Sequence, residues 1–276
     1  MAGTMSSIGS FRKSVWGHYK KHGRHDLPWR KTRDPYKVLV SEVMLQQTQV
    51  PRVKEKYAEF LKMFPTMWAL EEASLADVLK VWSGLGYNRR AKYLRDAAIE
   101  IVREHGGKVP RGYDSLRALP GVGDYTAHAI RVFAFNKPDA LIETNIRTVC
   151  MYHFFPRVPK IRDRAVLVRA QRAAEGQDPR RWHWALMDYG AYLKASGVRV
   201  NARSVHYTKQ SRFEGSLRQL RGTILRELHA GSKSRESLRS NLKNSPRSDL
   251  EKFKRALAGL VHDRLIVSRK KKWQIA

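Results

Sequence analysis

The chain has 276 residues, 42% of them hydrophobic, which suffices for two domains with substantial cores and excludes a disordered polymer. Lys and Arg number 54 against 25 Asp and Glu; the resulting +29 repels itself unless a polyanion relieves it, so a nucleic acid is the expected partner. No apolar run is long enough to span a membrane and Met1–Met5 lacks the apolar stretch of a secretory signal, so an intracellular, cytoplasmic protein without a membrane partner is expected.

The helical period dominates from the start. Residues 7–22 read as a helix stopped by Gly23. Leu27-Pro28-Trp29-Arg30 reads as a rigid extended entry, because Pro28 fixes its own φ and biases Leu27 away from helix. Tyr36 to Gln49 is apolar at helical spacing, and Pro51 opens a helix to about Met63 with Tyr57, Phe60 and Leu61 on one face. Arg89 to His105 is amphipathic, with a stripe of Leu94, Ala97, Ala98, Ile101 and Val102, and Gly106-Gly107 end it. Leu116 to about Phe135 holds two short helices broken at Pro120-Gly121-Val122-Gly123. The lone cysteine, Cys150, lies in the apolar run Val149-Cys150-Met151-Tyr152 and reads as a buried, inert thiol; it excludes an intramolecular disulfide and a cluster held by several thiolates of one chain. Helices follow at 162–174, capped by Asp163 or a neighbour, and at 180–194.

Periodicity lapses over 196–216, where Ser196-Gly197 and Asn201 intervene, and a domain boundary is placed at 210/211. The last 66 residues carry 17 Lys and Arg against 6 Asp and Glu, a denser positive charge than the rest. They read as helix Leu217–Leu228, a turn at Gly231, helix Arg235–Leu242, a break at Pro246 and helix Asp249–His262. Short strands Leu265–Val267 and Trp273–Ile275 then flank a basic tip, Arg269-Lys270-Lys271-Lys272. That order resembles a winged helix-turn-helix, a docking module for DNA or protein; the plainer alternative is a helical cap with a frayed basic end.

The strongest local signal is Leu119-Pro120-Gly121-Val122-Gly123-Asp124-Tyr125-Thr126-Ala127. Two glycines one residue apart allow a tight turn between helices and leave backbone N–H groups pointing outward at the start of the next helix, a site for a phosphate oxygen.

Joined to Leu27-Pro28-Trp29-Arg30, to Ser41-Glu42-Val43-Met44-Leu45-Gln46-Gln47-Thr48-Gln49-Val50 and to Trp82-Ser83-Gly84-Leu85-Gly86-Tyr87, this hairpin resembles the MutY-type adenine DNA glycosylases of the helix-hairpin-helix (HhH-GPD) superfamily over roughly residues 10–195. The resemblance implies a mainly α, two-lobed glycosylase domain over 1–210, with one lobe of about 35–145 and a second from 1–34 plus 146–210, followed by the winged-helix-like domain 211–276. Glu42 then corresponds to the general acid that protonates the departing base, a role requiring a carboxyl that holds its proton near neutral pH. Tyr87 corresponds to the wedge pushed into the base stack and Gln47 to the residue probing the gap. Further DNA contacts are expected from Arg30, Gln46, Thr48, Gly121, Val122, Gly123 and Thr126, and from Arg269, Lys270, Lys271 and Lys272 in the tail. Tyr125 stands where bifunctional relatives carry a lysine nucleophile, so a hydrolytic, monofunctional enzyme follows.

Three departures from the family pattern matter. In Leu141-Ile142-Glu143-Thr144-Asn145, Glu143 replaces the family's aspartate, which stabilises the cationic sugar; Asn145 still matches. The helix containing Met187-Asp188-Tyr189-Gly190-Ala191 matches the one before the family's iron–sulfur cluster, yet no cysteines follow, so no cofactor or metal is expected and 196–213 must hold itself by packing. Asp188 reads as a structural hydrogen-bonding residue. The family's 8-oxoguanine-checking domain is not recognisable. The leading expectation is a monomeric enzyme acting on duplex DNA with a mispaired or damaged base, adenine first. Hypoxanthine, uracil or an alkylated purine remain alternative substrates, and a non-catalytic DNA-binding protein on a retired scaffold is the rival reading.

Overall fold

The structure, a computed structural model, describes residues 5–207, 212–241 and 250–276. The protein is mainly helical, as expected. In chain order the helices are α1 (Ile8–His22), α2 (Pro35–Leu45), α3 (Val50–Met63), α4 (Met67–Glu72), α5 (Leu75–Trp82), α6 (Arg89–His105), α7 (Tyr113–Ala118), α8 (Asp124–Phe133), α9 (Thr144–Phe154), α10 (Asp163–Ala174) and α11 (Pro179–Ala195). The tail adds α12 (Leu217–His229), β1 (Lys233–Ser234), α13 (Arg235–Asn241), α14 (Leu250–His262), β2 (Ile266–Arg269) and β3 (Lys272–Ile275). Among the described residues no helix is long and apolar enough to cross a membrane.

The chain folds into two compact units, one of Met1–Leu39, Arg111–Ala118 and Val122–Lys209, the other of Val40–Pro110, Leu119–Gly121 and Gln210–Ala276. In the first, α11 packs against α9 and α1, and α10 against α9. Phe11, Val149, Cys150 and Trp182 are fully buried there. The α9–α11 approach is close enough to demand glycine: a Cβ on Gly190 would lie 2.2 Å from the Asn145 carbonyl oxygen. In the second unit α4 and α5 pack on α6, and α12 packs on α14 and on α5. Its core includes Phe60, Trp82, Leu94, Ile101 and Phe253.

The caps explain most boundaries. Ser7 accepts from the Ser10 N–H to start α1, and the Gly23 N–H closes it on the Tyr19 carbonyl. Gly106, at φ +57°, ends α6 as its sequence requires. Two expectations are corrected. Leu27 is extended, but Pro28–Arg30 form a 3₁₀ turn, which proline at the first position favours. The helix expected to reach Gln49 stops at Leu45, because Gln47 adopts φ +54°. The cap position of α10 is Arg162, a neighbour of Asp163 as expected, without a side-chain bond, and Asp163 pairs with Arg147.

In the tail, β3 lies between β1 and β2, antiparallel to both. Opposed Arg269 and Lys272 leave Lys270 and Lys271 as a two-residue turn, both at positive φ, the geometry that matches strand twist. This helix–strand–helix–helix–hairpin order is compatible with the winged helix-turn-helix expected. The Pro246 break, the Leu242 and Asp249 helix ends and the 210/211 boundary lie outside the described residues.

Candidate functional site

Glu42 sits on α2, in a stretch where Leu39, Val40, Val43 and Met44 are all buried, and is itself 7% exposed. Beyond the end of α2 the chain turns sharply. Gln46 and Thr48 are half-buried, Gln47 is exposed, and its left-handed backbone is costly for a residue with a Cβ. Tyr87 shares that conformation at φ +48°, on the Gly84–Gly86 turn.

One buried cation holds these two turns. The Arg90 guanidinium donates to the carbonyls of Val43 (2.8 Å) and Met44 (2.9 Å), and to that of Gln46. It also donates to the Thr48 hydroxyl (3.0 Å) and the carbonyls of Leu85 (3.3 Å) and Gly86 (3.0 Å). The α2 carbonyls are ones a helix end leaves unsatisfied, and the helix dipole favours a cation there. Burial lowers Arg90 to about 10, only partly opposed by Tyr87, so it stays charged at neutral pH. Sequence reasoning missed this residue. Its signal was present: Arg90 falls on the buried α6 stripe four residues before Leu94, where a charge requires a reason.

In the hairpin, Gly121 is obligatory twice over, having φ +74° and a virtual Cβ 2.6 Å from the Tyr93 Cβ. Gly123 needs neither allowance, with nothing within 4 Å of its virtual Cβ, and it is exposed. Its value is open backbone at the start of α8. Val122 and Thr126 are buried, so of the expected hairpin contacts the exposed glycines present backbone while those two side chains pack inward. Tyr125 is half-buried on the first turn of α8.

Glu143 is the N-cap of α9. Its Oε1 accepts from the N–H groups of Asn145 (2.8 Å) and Ile146 (2.9 Å), and its Oε2 from the Asn145 side-chain amide (3.1 Å). Burial raises its carboxyl above the usual range, with the Asn145 and Ile146 bonds and the Lys194 charge opposing. Asn145, packed under Gly190, therefore orients Glu143.

Asp188 accepts from the Arg24 N–H (2.8 Å), the Arg24 Nε (2.7 Å) and both terminal nitrogens of Arg30 (2.7 and 2.9 Å). The Arg30 side chain is 4% exposed and lies over Trp184, so its guanidinium serves this pair rather than presenting itself to a ligand. Burial alone would raise Asp188, but Arg30 and then Arg24 hold it below the ordinary carboxylate range. Asp188→Asn should thus cost about 3–5 kcal/mol at pH 7 by stranding a buried guanidinium. Because the folded carboxyl is depressed, its stabilisation is complete above the unfolded value of roughly 4 and fades as pH falls below it. Urea melts of parent and variant should therefore converge in acid; a constant gap between pH 7 and pH 2 would contradict this account.

The residues present do not fit a cysteine-ligated iron–sulfur cluster. The single cysteine, Cys150, is buried on α9 with its thiol pushed up to about 12. Among the described residues no group of three or more His, Cys, Asp or Glu side chains gathers as a metal site. The short 3₁₀ turn of the segment after α11 packs on α9, as expected, and hydrogen bonds tie it there. Arg203 donates to the carbonyls of Phe155, Pro156 and Val158, and Asn201 to the Thr148 hydroxyl (2.7 Å). No residue of its short 3₁₀ turn, Val200–Arg203, is buried.

Residues 40–168 match the HhH-GPD superfamily of base excision DNA repair proteins. Over 129 residues it is 44% identical to an adenine DNA glycosylase of Mycolicibacterium smegmatis, covering 46% of this chain and 44% of that one. The adenine DNA glycosylase of Homo sapiens is 36% identical over 199 residues, 68% of this chain and 36% of the relative. The chain thus spans less than half the length of either relative. Among solved structures, a thermostable thymine-DNA glycosylase superposes with a TM-score of 0.62 at 26% identity, covering 72% of this chain and 96% of that one.

Proposed function

We propose that this protein is a monofunctional DNA glycosylase, acting as a monomer inside the cell, that turns a mispaired or damaged base out of duplex DNA and hydrolyses its N-glycosidic bond. Adenine is the first candidate, on the identity to adenine DNA glycosylases. The observation that carries the reading is Glu42, a carboxyl 7% exposed on α2 inside the matched segment. Glu42 protonates the leaving base, Glu143 stabilises the cationic sugar, and Asn145 orients Glu143. Tyr125 offers no amine, so water rather than a Schiff base completes the reaction. Gln46, Gln47, Thr48 and Tyr87 meet the opened stack, the Gly121–Gly123 backbone takes a phosphate, and the Arg269–Lys272 tip adds charge. Arg30, committed to Asp188, is not among the contacts. The likeness to a thymine-DNA glycosylase keeps a second substrate base open.

A panel of duplexes, each with one mispaired or modified base, tests this. Release should leave an alkali-labile abasic site, and borohydride should trap no enzyme–DNA adduct. Efficient trapping would indicate a lysine nucleophile elsewhere; no release from any duplex would favour the non-catalytic reading. Binding should also weaken steeply with salt, by roughly 10³–10⁵ between 50 and 200 mM for 6–10 phosphate contacts. A flat titration would contradict nucleic-acid binding.

A further inference from the structure

Within the second unit, a cleft of about 490 Å³ opens between the Gly84–Asn88 turn and α12. That volume falls in the roughly 300–1,000 Å³ range of ligand pockets. Its charged lining comes from Arg52, Arg218 and Arg226, its aromatic lining from Tyr87 and the 59% exposed Phe213, and Gln219 adds an amide. No Asp or Glu is among the lining residues. The neighbouring cleft, of about 560 Å³, differs: there Asp263 pairs with Arg89 and Arg221 and offsets one of their two charges. Tyr87 and Arg218 line both clefts, joined by a hydrogen bond and by stacking of the guanidinium 5.2 Å from the ring centroid.

Guanidinium groups around a half-buried ring, with an exposed second aromatic and a neutral amide, suit one kind of ligand: a flat heterocycle carrying a phosphate. We propose that this cleft is a nucleotide-binding site for a nucleotide of the bound DNA other than the excised one. Its base lies against Tyr87 and Phe213, its phosphate lies among Arg52, Arg218 and Arg226, and Gln219 meets a base edge. α12 is then part of the reading surface and not only a support for the basic hairpin. The inference rests on the DNA-binding part of the proposed function and not on catalysis.

The test uses the full chain and duplexes carrying a single mispair. With 5-iododeoxyuridine placed at successive positions around the mispair, irradiation should yield an adduct mapped by mass spectrometry to Phe213. In parallel, Arg52→Ala/Arg218→Ala/Arg226→Ala should flatten the salt dependence of binding by about 0.9 in slope for each phosphate that is no longer neutralised. Adducts at every residue but Phe213, or an unchanged salt slope in the folded triple arginine variant, would overturn the site. Base release by the parent is scored on the same duplexes. An adduct without release leaves the site standing and removes the enzyme reading, whereas release without the adduct does the reverse.

Discussion

Glu42→Gln should slow single-turnover base release by roughly 10²–10⁴-fold while leaving DNA affinity nearly unchanged. The substitution keeps the side chain's size and removes the one proton it can transfer. Glu42 is buried among apolar neighbours on α2, and the end of that helix is fixed by Arg90, so the amide should occupy the same place without disturbing the fold. The measurement separates chemistry from binding: an equal loss in both would mean that Glu42 serves structure. If release were unaltered, the proton donor would have to be sought elsewhere and the proposed mechanism abandoned.

Glu143→Gln should be comparably damaging, because it removes the charge opposed to the developing sugar cation. The same change weakens the cap of α9 by about 0.5–2 kcal/mol, a loss that thermal melts will report separately from the rate. Glu143→Asp retains the charge and remains a good helix cap, but draws the carboxylate back by about 1 Å, enough to cost about 10²-fold. That fall is expected here because the three bonds from Asn145 and Ile146 already hold the longer side chain in place. A gain in activity with aspartate would instead identify Glu143 as a partly disabling residue in an unaltered pocket. The pH profile adds an independent check. Burial raises the Glu143 carboxyl, so the parent should lose activity in acid as this group protonates, and the acid limb should be absent in Glu143→Gln.

How much of the fold is legible in the sequence follows from the range of the forces involved. Where one face of a helix meets solvent, a few neighbouring residues carry the pattern, and α6 can be read to the residue, with its Gly106 stop. The Pro120–Gly123 hairpin and the order of helices and basic hairpin in the tail are legible for the same reason, since turn residues act within their own few positions. By contrast α9 escapes, because Ile146, Thr148, Val149, Cys150, Met151 and Phe154 bury most of its circumference and leave no polar face to set a period. The short helices α4 and α5, of 6 and 8 residues, end before a period can be established.

The candidate site divides along the same line. Glu42, Tyr87, Tyr125 and Glu143 can be named because each lies in a contiguous string. Their surroundings cannot. Arg90 reaches carbonyls 46 and 47 positions earlier, Asp188 claims Arg30 from 158 positions away, and Arg218 meets Tyr87 across 131. Such partnerships depend on which helices pack together. Burial supplies their force, because a guanidinium or carboxylate removed from water must find a partner wherever the chain brings one near. The sequence by itself determined the candidate groups and the local turns that carry them. Only the tertiary structure decided that Arg30 serves Asp188, that Arg90 fixes the end of α2 to the Tyr87 turn, and that Glu143 is anchored on α9.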